Sequence, residues 1–442
     1  MTDDNKKENS LIPISSTEIV RASNSLAITQ KILNEIEQRF DPLKWWQSVD
    51  DDMKMVLYAN IKHIKEVICV EDASEFSYYK RILLEEQIES IKKIDIETIK
   101  TILKLKLLNA NDFKLSNIKS LGILTNLTEL HLRSNEISDI SSLTTLTNLT
   151  HLNLMGNGIS DFSPCAALTN MTELDLRYNQ ISDLAPLKTS SNLIKLILGD
   201  NQISDLSPFT RLTNLKELDL GYNQISDLGP LKASSNLMKL ILGANQISDI
   251  SPLTRLTNLT ELDLGYNQIS DFGPLTALSN LRKLNLDDIQ ISDISWLNAL
   301  TKLTSVDLHE NQISDLSPLT TLANLIELDL GYNQISDLGP LAALSNLTNL
   351  DLSNNQITDI RPLAALSNLT NLDLSNNQIT DIRSLAALSN LNFLSLGNNQ
   401  ITDIRSLATL SNLNFLSLGR NEISDQQKDY LRNKLPYSHI SF

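Results

Sequence analysis

Cysteine is scarce in this chain: two residues in 442 cannot make a disulfide framework. Cys165 falls in a slot that sister segments fill with Leu187, Leu231, Leu253 or Phe209, so it is expected to pack in a core rather than do chemistry. Histidine is thin as well, with His63, His131, His151, His309 and His439 scattered along the chain. There is no Gly-rich phosphate loop, no spaced Cys/His set, and no cysteine with a base at hand. The expectation is no enzyme, no cofactor and no metal. Only His131 and His151 could approach each other, and a metal there would need more ligands than Glu129 and Asn153 supply. Basic residues are outnumbered 37 to 53, for a net charge of −16, which argues against nucleic acid and anionic membrane as partners. No apolar run approaches the ~18 residues of a membrane span, and no apolar stretch of an export signal follows MTDDNKKENS. A soluble, cytoplasmic protein is expected, and a monomer.

What the chain does have is one sentence repeated. From Asn135 to Asn421 a 22-residue unit, seen plainly as LTNLTELDLGYNQISDFGPL at 256–275, recurs fourteen times without insertion or deletion. A fixed period of this length means a solenoid. Counted from its Asn, each coil has Leu three residues back, Ile two residues on and Asp four residues on. The Asn itself fails once, at Ile289. Leu262 and Leu264, two apart, point to one face of a short strand, and strands of successive coils pair in parallel. Asn267 is placed to turn the chain and bond the backbone of neighbouring coils, making a ladder. Asp271 and Pro274 suit the start of a short helical turn on the opposite side, and Leu275 and Leu278 close the core.

The pattern LxxLxxLxLxxNxIxDIxPLxxLTN resembles the bacterial internalin-type leucine-rich repeat, and also the leucine-rich regulator of a eukaryotic protein phosphatase. The resemblance implies an α/β, curved right-handed solenoid with a parallel sheet on its concave side, 3-10-like turns on its convex side, and protein recognition by the concave face. Unlike secreted internalins, it is expected to have no signal peptide, no Leu-Pro-x-Thr-Gly anchor and no immunoglobulin-like module. A stack exposes its core at both ends, so caps are expected. Residues 426–442 read as one, with a helix over Gln426–Leu435, a final strand over Ser438–Phe442, and Tyr430, Leu431 and Leu435 against the last coil. Residues 1–107 read as a helical cap module, its first ~15 residues disordered. Its first helix carries Ile19 to Phe40, a second starts after Pro42 with Trp45 and Trp46, and a third spans about Phe76 to Ile102. The run Asp50–Asp52 is either solvated or capping an internal break. The paired tryptophans suit packing against the first coil, or docking. Residues 108–425 are then repeats, opening on a degenerate transition coil whose Asn slot holds Phe113.

Function is expected on the side chains that flank the strand leucines, at six, four, two and one residues before each Asn. Six back, Glu173, Lys195, Glu217, Lys239, Glu261 and Lys283 alternate in charge; four back, Asp175, Asp219, Asp263, Asp307, Asp329, Asp351 and Asp373 form an acidic row; one back stand Tyr178, Tyr222, Tyr266 and Tyr332. Tyrosines beside carboxylates suit a protein-binding surface. Copying offers another explanation, since residues 177–220 and 221–264 agree at 36 of 44 positions, and the charge alternation also serves as a ladder. Irregular positions escape that explanation. Asp287 and Asp288 replace Gly-Tyr beside Ile289, Trp296 replaces Pro, and His309 and Glu310 stand where a later coil has Gly331 and Tyr332. Loss of the Asn at 289 is expected to leave neighbouring backbone groups unsatisfied, at ~1 to 3 kcal/mol. Phe393 and Phe415 replace polar residues on adjacent strands, as an exposed apolar pair or as cover under the C-terminal cap. The function expected from these features is a non-catalytic scaffold or adaptor that binds a partner protein, with a surface adhesin or a phosphatase regulator as alternatives.

Overall fold

Seven apolar side chains per coil, Leu262, Leu264, Ile269, Phe272, Leu275, Leu278 and Leu281 in the coil of Asn267, are all buried. That is enough for each coil to hold its neighbours, at roughly 1.5–3 kcal/mol for each large side chain buried. A computed structural model describes residues 41–61 and 95–442, and the chain divides into two compact units, Met1–Lys104 and Leu105–Phe442. The helix expected over Ile19–Phe40, and the part of the third before residue 95, lie outside the described residues.

In the N-terminal unit, α1 (Pro42–Ser48), α2 (Asp51–Ile61) and α3 (Ile96–Ile102) are described. The stretch expected as one helix after Pro42 is broken at Val49–Asp50. Asp41 Oδ1 caps the start of α1, with Pro42 at its first position, and Asp50 Oδ1 accepts Met53 N–H at 2.8 Å to restart the chain as α2. The first acid of the run is therefore the cap at an internal break. Trp46 is buried and Trp45 half-buried.

The second unit is a leucine-rich-repeat solenoid: one sheet of sixteen parallel strands in chain order, each three residues long, alternating with 3-10 turns. From Leu107–Asn109 to Phe415–Ser417 each strand pairs with the one 22 residues on. Two ladders of carboxamides stitch the coils. Asn267 Nδ2 donates to the carbonyls of Leu242, Leu264 and Gly265 while its Oδ1 accepts Ile247 N–H. The second ladder escaped the sequence reading: Asn258 Nδ2 donates to Ser235 C=O, and the same bond recurs from Asn148 to Asn412 except at Lys302. The Asp of each coil works one step earlier than a cap residue proper. Asp271 Oδ1 accepts Gly273 N–H at 2.9 Å, closing a turn just before the 3-10 segment Gly273–Ala277 begins.

At the C-terminus, α4 (Asp425–Lys434) uses the last such Asp in its first turn, and the strand His439–Ser441 pairs with Phe415–Ser417. Leu431 and Leu435 are buried as expected, whereas Tyr430 is 40% exposed, with Lys434 Nζ 5.9 Å over its ring. A tyrosine one position before Leu431 lies on a different helical face.

Candidate functional site

The strand residues six and four before each Asn lie on the open sheet face, flanking a buried Leu. Six back, the alternating charges pair: Lys195 Nζ lies 3.2 Å from Glu217, Lys239 Nζ 2.5 Å from Glu261, and His151 Nε2 3.5 Å from Glu173. These charges are used within the sheet. His131 is held below the usual imidazole range by burial, against the pull of Glu129. No group of three or more metal-binding side chains occurs among the described residues.

Four back, the acids are in register from Asp307 to Asp373 and form the floor of an open groove of about 520 Å³ that ends at Phe393. Each has a local duty. Asp219 Oδ1 accepts Gly221 N–H, Asp263 that of Gly265, Asp307 that of His309, and Asp351 that of Ser353. The duty does not need a charge, because Asn153 and Asn285 do it from the same slot with a carboxamide. Burial pushes the carboxyls of Asp219, Asp263 and Asp329 up from their ordinary range. Here the fold tolerates ionised groups that it does not require.

One back, the tyrosines sit on the rim, just past the strands, with left-handed backbone at Tyr178, Tyr222, Tyr266 and Tyr332 (φ 53–54°). They are 47–63% exposed. This conformation costs a side-chain-bearing residue roughly 1–2 kcal/mol relative to glycine; Gly156 and Asn354 show the easier choices at the same slot. The tyrosines do not announce this backbone, and the sequence reading missed it, although Gly, Asn and Asp at the same slot in other coils carry the signal.

The irregular positions gather on this rim. Tyr266 hydrogen-bonds Asp287 across the coil boundary, and the negative charge of Asp287 pushes its phenol up to about 12. Burial raises the Asp287 carboxyl, and its Oδ1 is buried without a hydrogen-bond partner. Asp288 and Glu310 occupy the left-handed slot in consecutive coils. His309 lies 3.4 Å from Asp329 and edge-on to Tyr332 at 5.0 Å. Gly331 makes room for it, since a Cβ there would stand 2.8 Å from His309 Nδ1. Phe393 and Phe415 belong to a separate patch. Their rings stack at 5.0 Å, and His439 of the last strand continues the stack at 5.7 Å, leaving the pair half-buried at the end of the sheet.

At Ile289 part of the loss is made good. The carbonyls of Leu264 and Leu286 keep partners in Asn267 and Asn311, because each Asn serves two coils. Ile289 is buried, Gln290 turns left-handed (φ 60°), and the N–H groups of Ile289 and Ile291 share Asn311 Oδ1. Phe113 and Lys114 do the same against Asn135, so an apolar residue in the Asn slot produces one defined turn.

A family model described as leucine rich repeats (two copies) matches successive stretches from 147–189 to 389–428, and a single-repeat model matches 124–140. No curated protein matches the chain. Among solved structures, an internalin of Listeria monocytogenes is 32% identical, covering 85% of this chain and 95% of its own, with a TM-score of 0.61. A leucine-rich-repeat protein of Leptospira interrogans is 27% identical over 86% of this chain and 98% of its own, with a TM-score of 0.71. The ectodomain of the Arabidopsis thaliana receptor kinase GASSHO1/SCHENGEN3, solved in complex with CASPARIAN STRIP INTEGRITY FACTOR 2, is 26% identical over 74% of this chain and 43% of its own, with a TM-score of 0.59.

Proposed function

The chain belongs to the leucine-rich-repeat family, and from that premise we propose that it is a non-catalytic scaffold whose concave sheet face and rim bind a basic surface of a partner protein. The observation that carries this is the acidic row. An amide would serve the turn as well as Asp219, Asp263, Asp307, Asp329, Asp351 or Asp373 does, yet these coils keep a carboxylate that burial disfavours at half of those positions. A cationic partner stabilises such groups, and charge of one sign along a groove steers it in. The rim of Tyr222, Tyr266, Asp287, Asp288, His309, Glu310 and Tyr332 adds rigid aromatic contact beside the row. That the related receptor ectodomain was solved with a bound partner is in keeping with this reading.

Affinity capture from native extract tests it, comparing wild type with Asp307→Asn/Asp329→Asn/Asp351→Asn, Tyr222→Ala/Tyr266→Ala and Asp287→Ala/Asp288→Ala. The amide triple keeps the turn bonds, so a protein lost in it is lost for want of charge, and the purified pair should bind more weakly as salt rises. If none of the three variants changes what is recovered, the proposed face is wrong. A second reading, which the internalin-like repeat suggests, is an adhesin acting outside the cell. Cell fractionation separates the two. Co-purification with phosphatase activity would instead favour a regulatory subunit.

A further inference from the structure

One coil, running from the strand Lys283–Asn285 to the turn Ser295–Ala299, is held less firmly than its neighbours on both sides. The inner ladder fails before it at Ile289. The outer ladder fails after it at Lys302, which replaces the usual Asn and donates to the Asn280 side chain instead. At the first failure, Ile269 N–H has no carboxamide acceptor. The turn at Gln290 also removes the bond from its N–H to Ile269 C=O, which every other coil from Glu136 to Gln400 makes. Among the described residues these three backbone groups have no partner. They line an open groove of about 680 Å³ on the flank of the solenoid. Phe272 and Trp296, stacked at 5.4 Å, form part of its wall; Asp271 and Asp293 contribute carboxylates, and no Lys or Arg lines it.

We propose that this groove is a second binding site, on the flank rather than the sheet face, for an extended, arginine-bearing segment of a partner protein. An extended backbone supplies a donor and acceptors spaced to satisfy the N–H and C=O of Ile269 and the N–H of Gln290. The carboxylates supply guanidinium recognition, with precedent inside the chain. Asp359 occupies the same slot as Asp271 and takes Arg361 in a fork, Nε at 2.9 Å and the terminal nitrogen at 2.6 Å, while its Oδ1 still accepts the turn N–H at 3.0 Å. Asp381 and Asp403 hold Arg383 and Arg405 the same way. Two residues after Asp271 stands Gly273, so the fork there is open to an arginine from outside. Trp296 offers that guanidinium a face to stack on. The site does not depend on the concave-face reading.

The test is calorimetric titration of the full chain with the blocked peptide acetyl-Val-Arg-Val-Arg-Gly-amide and with its glutamine analogue. The arginine peptide should bind, and the analogue should bind roughly tenfold more weakly or worse. Ile289→Asn restores the residue of the thirteen sister coils and should weaken binding by a similar factor, with an unchanged circular-dichroism spectrum. Trp296→Pro, the residue of most sister turns, should do likewise and guards against a misfolded first variant. The amide triple on the sheet face should bind as wild type does. No heat with wild type, equal binding of the analogue, undiminished affinity in both flank variants, or loss of binding only in the sheet-face triple would each overturn the proposal.

Discussion

Asn333 shows what a ladder residue holds. Its Nδ2 donates to the carbonyls of Leu308, Leu330 and Gly331, and its Oδ1 accepts Ile313 N–H. The three carbonyls keep other partners, Asn311, Asn355 and Glu310 N–H, whereas Ile313 N–H has no second acceptor. Asn333→Ala should therefore cost about 2 to 3 kcal/mol, one orphaned buried N–H plus lost packing, read as a lower midpoint in urea unfolding. A change under ~0.5 kcal/mol would mean the ladder contributes little. Cys165 supports a second expectation. Burial pushes its thiol up to about 12, so at pH 9 an alkylating reagent should leave the Cys165 peptide unmodified in the native chain and label it in denaturant. Labelling in the folded state would contradict the packing. Cys165 was legible from its slot, as was the failure of Ile289. How the chain answers that failure was not, because Gln290 and Lys114 carry no residue-type signal for a left-handed backbone, and the shared carbonyls appear only once the coils are stacked.

Strands and turns both use Asp, and three strand acids and three turn acids, in different coils, respond to acid in opposite directions. For Asp219, Asp263 and Asp329 the folded pKa is raised, so the ionised form disfavours the fold at neutral pH, and protonation relieves that penalty as pH falls through the raised value. The variant Asp219→Asn/Asp263→Asn/Asp329→Asn should melt higher than wild type at pH 7–8, and the difference should vanish near pH 3. A variant that melts lower at pH 8 would show that the carboxylates, not just their Oδ1 acceptors, hold the turns. On the turn side, the Arg fork beside each carboxylate holds Asp359, Asp381 and Asp403 down at about 2. Their contribution is present above the ordinary carboxylate range and lost as pH falls through about 2. The 22-residue frame made strands and turns legible because apolar spacing dictates both. The second ladder was not, since an exposed Asn in Leu-Thr-Asn looks like framing until Asn258 is seen reaching Ser235 C=O.

Taken whole, the repeat unit is a one-dimensional stack in which each strand contacts only its chain neighbours. Stability in such a stack is a sum of coil and interface contributions, and it parts at the weakest interface. With both ladders broken around the strand Lys283–Asn285, native-state hydrogen exchange should show amides of 283–310 opening first among the interior coils, and Ile289→Asn/Lys302→Asn should bring them level with the coils on either side. Uniform exchange along the wild-type stack would refute this. The order of strands carries a consequence for synthesis as well. Because every strand pairs with the one made just before it, a coil leaving the ribosome meets its partner already in place, and nothing has to wait for the distant end of the chain. Growth of the fold then keeps pace with translation, slowing where the coil of Ile289 docks without its ladder bonds.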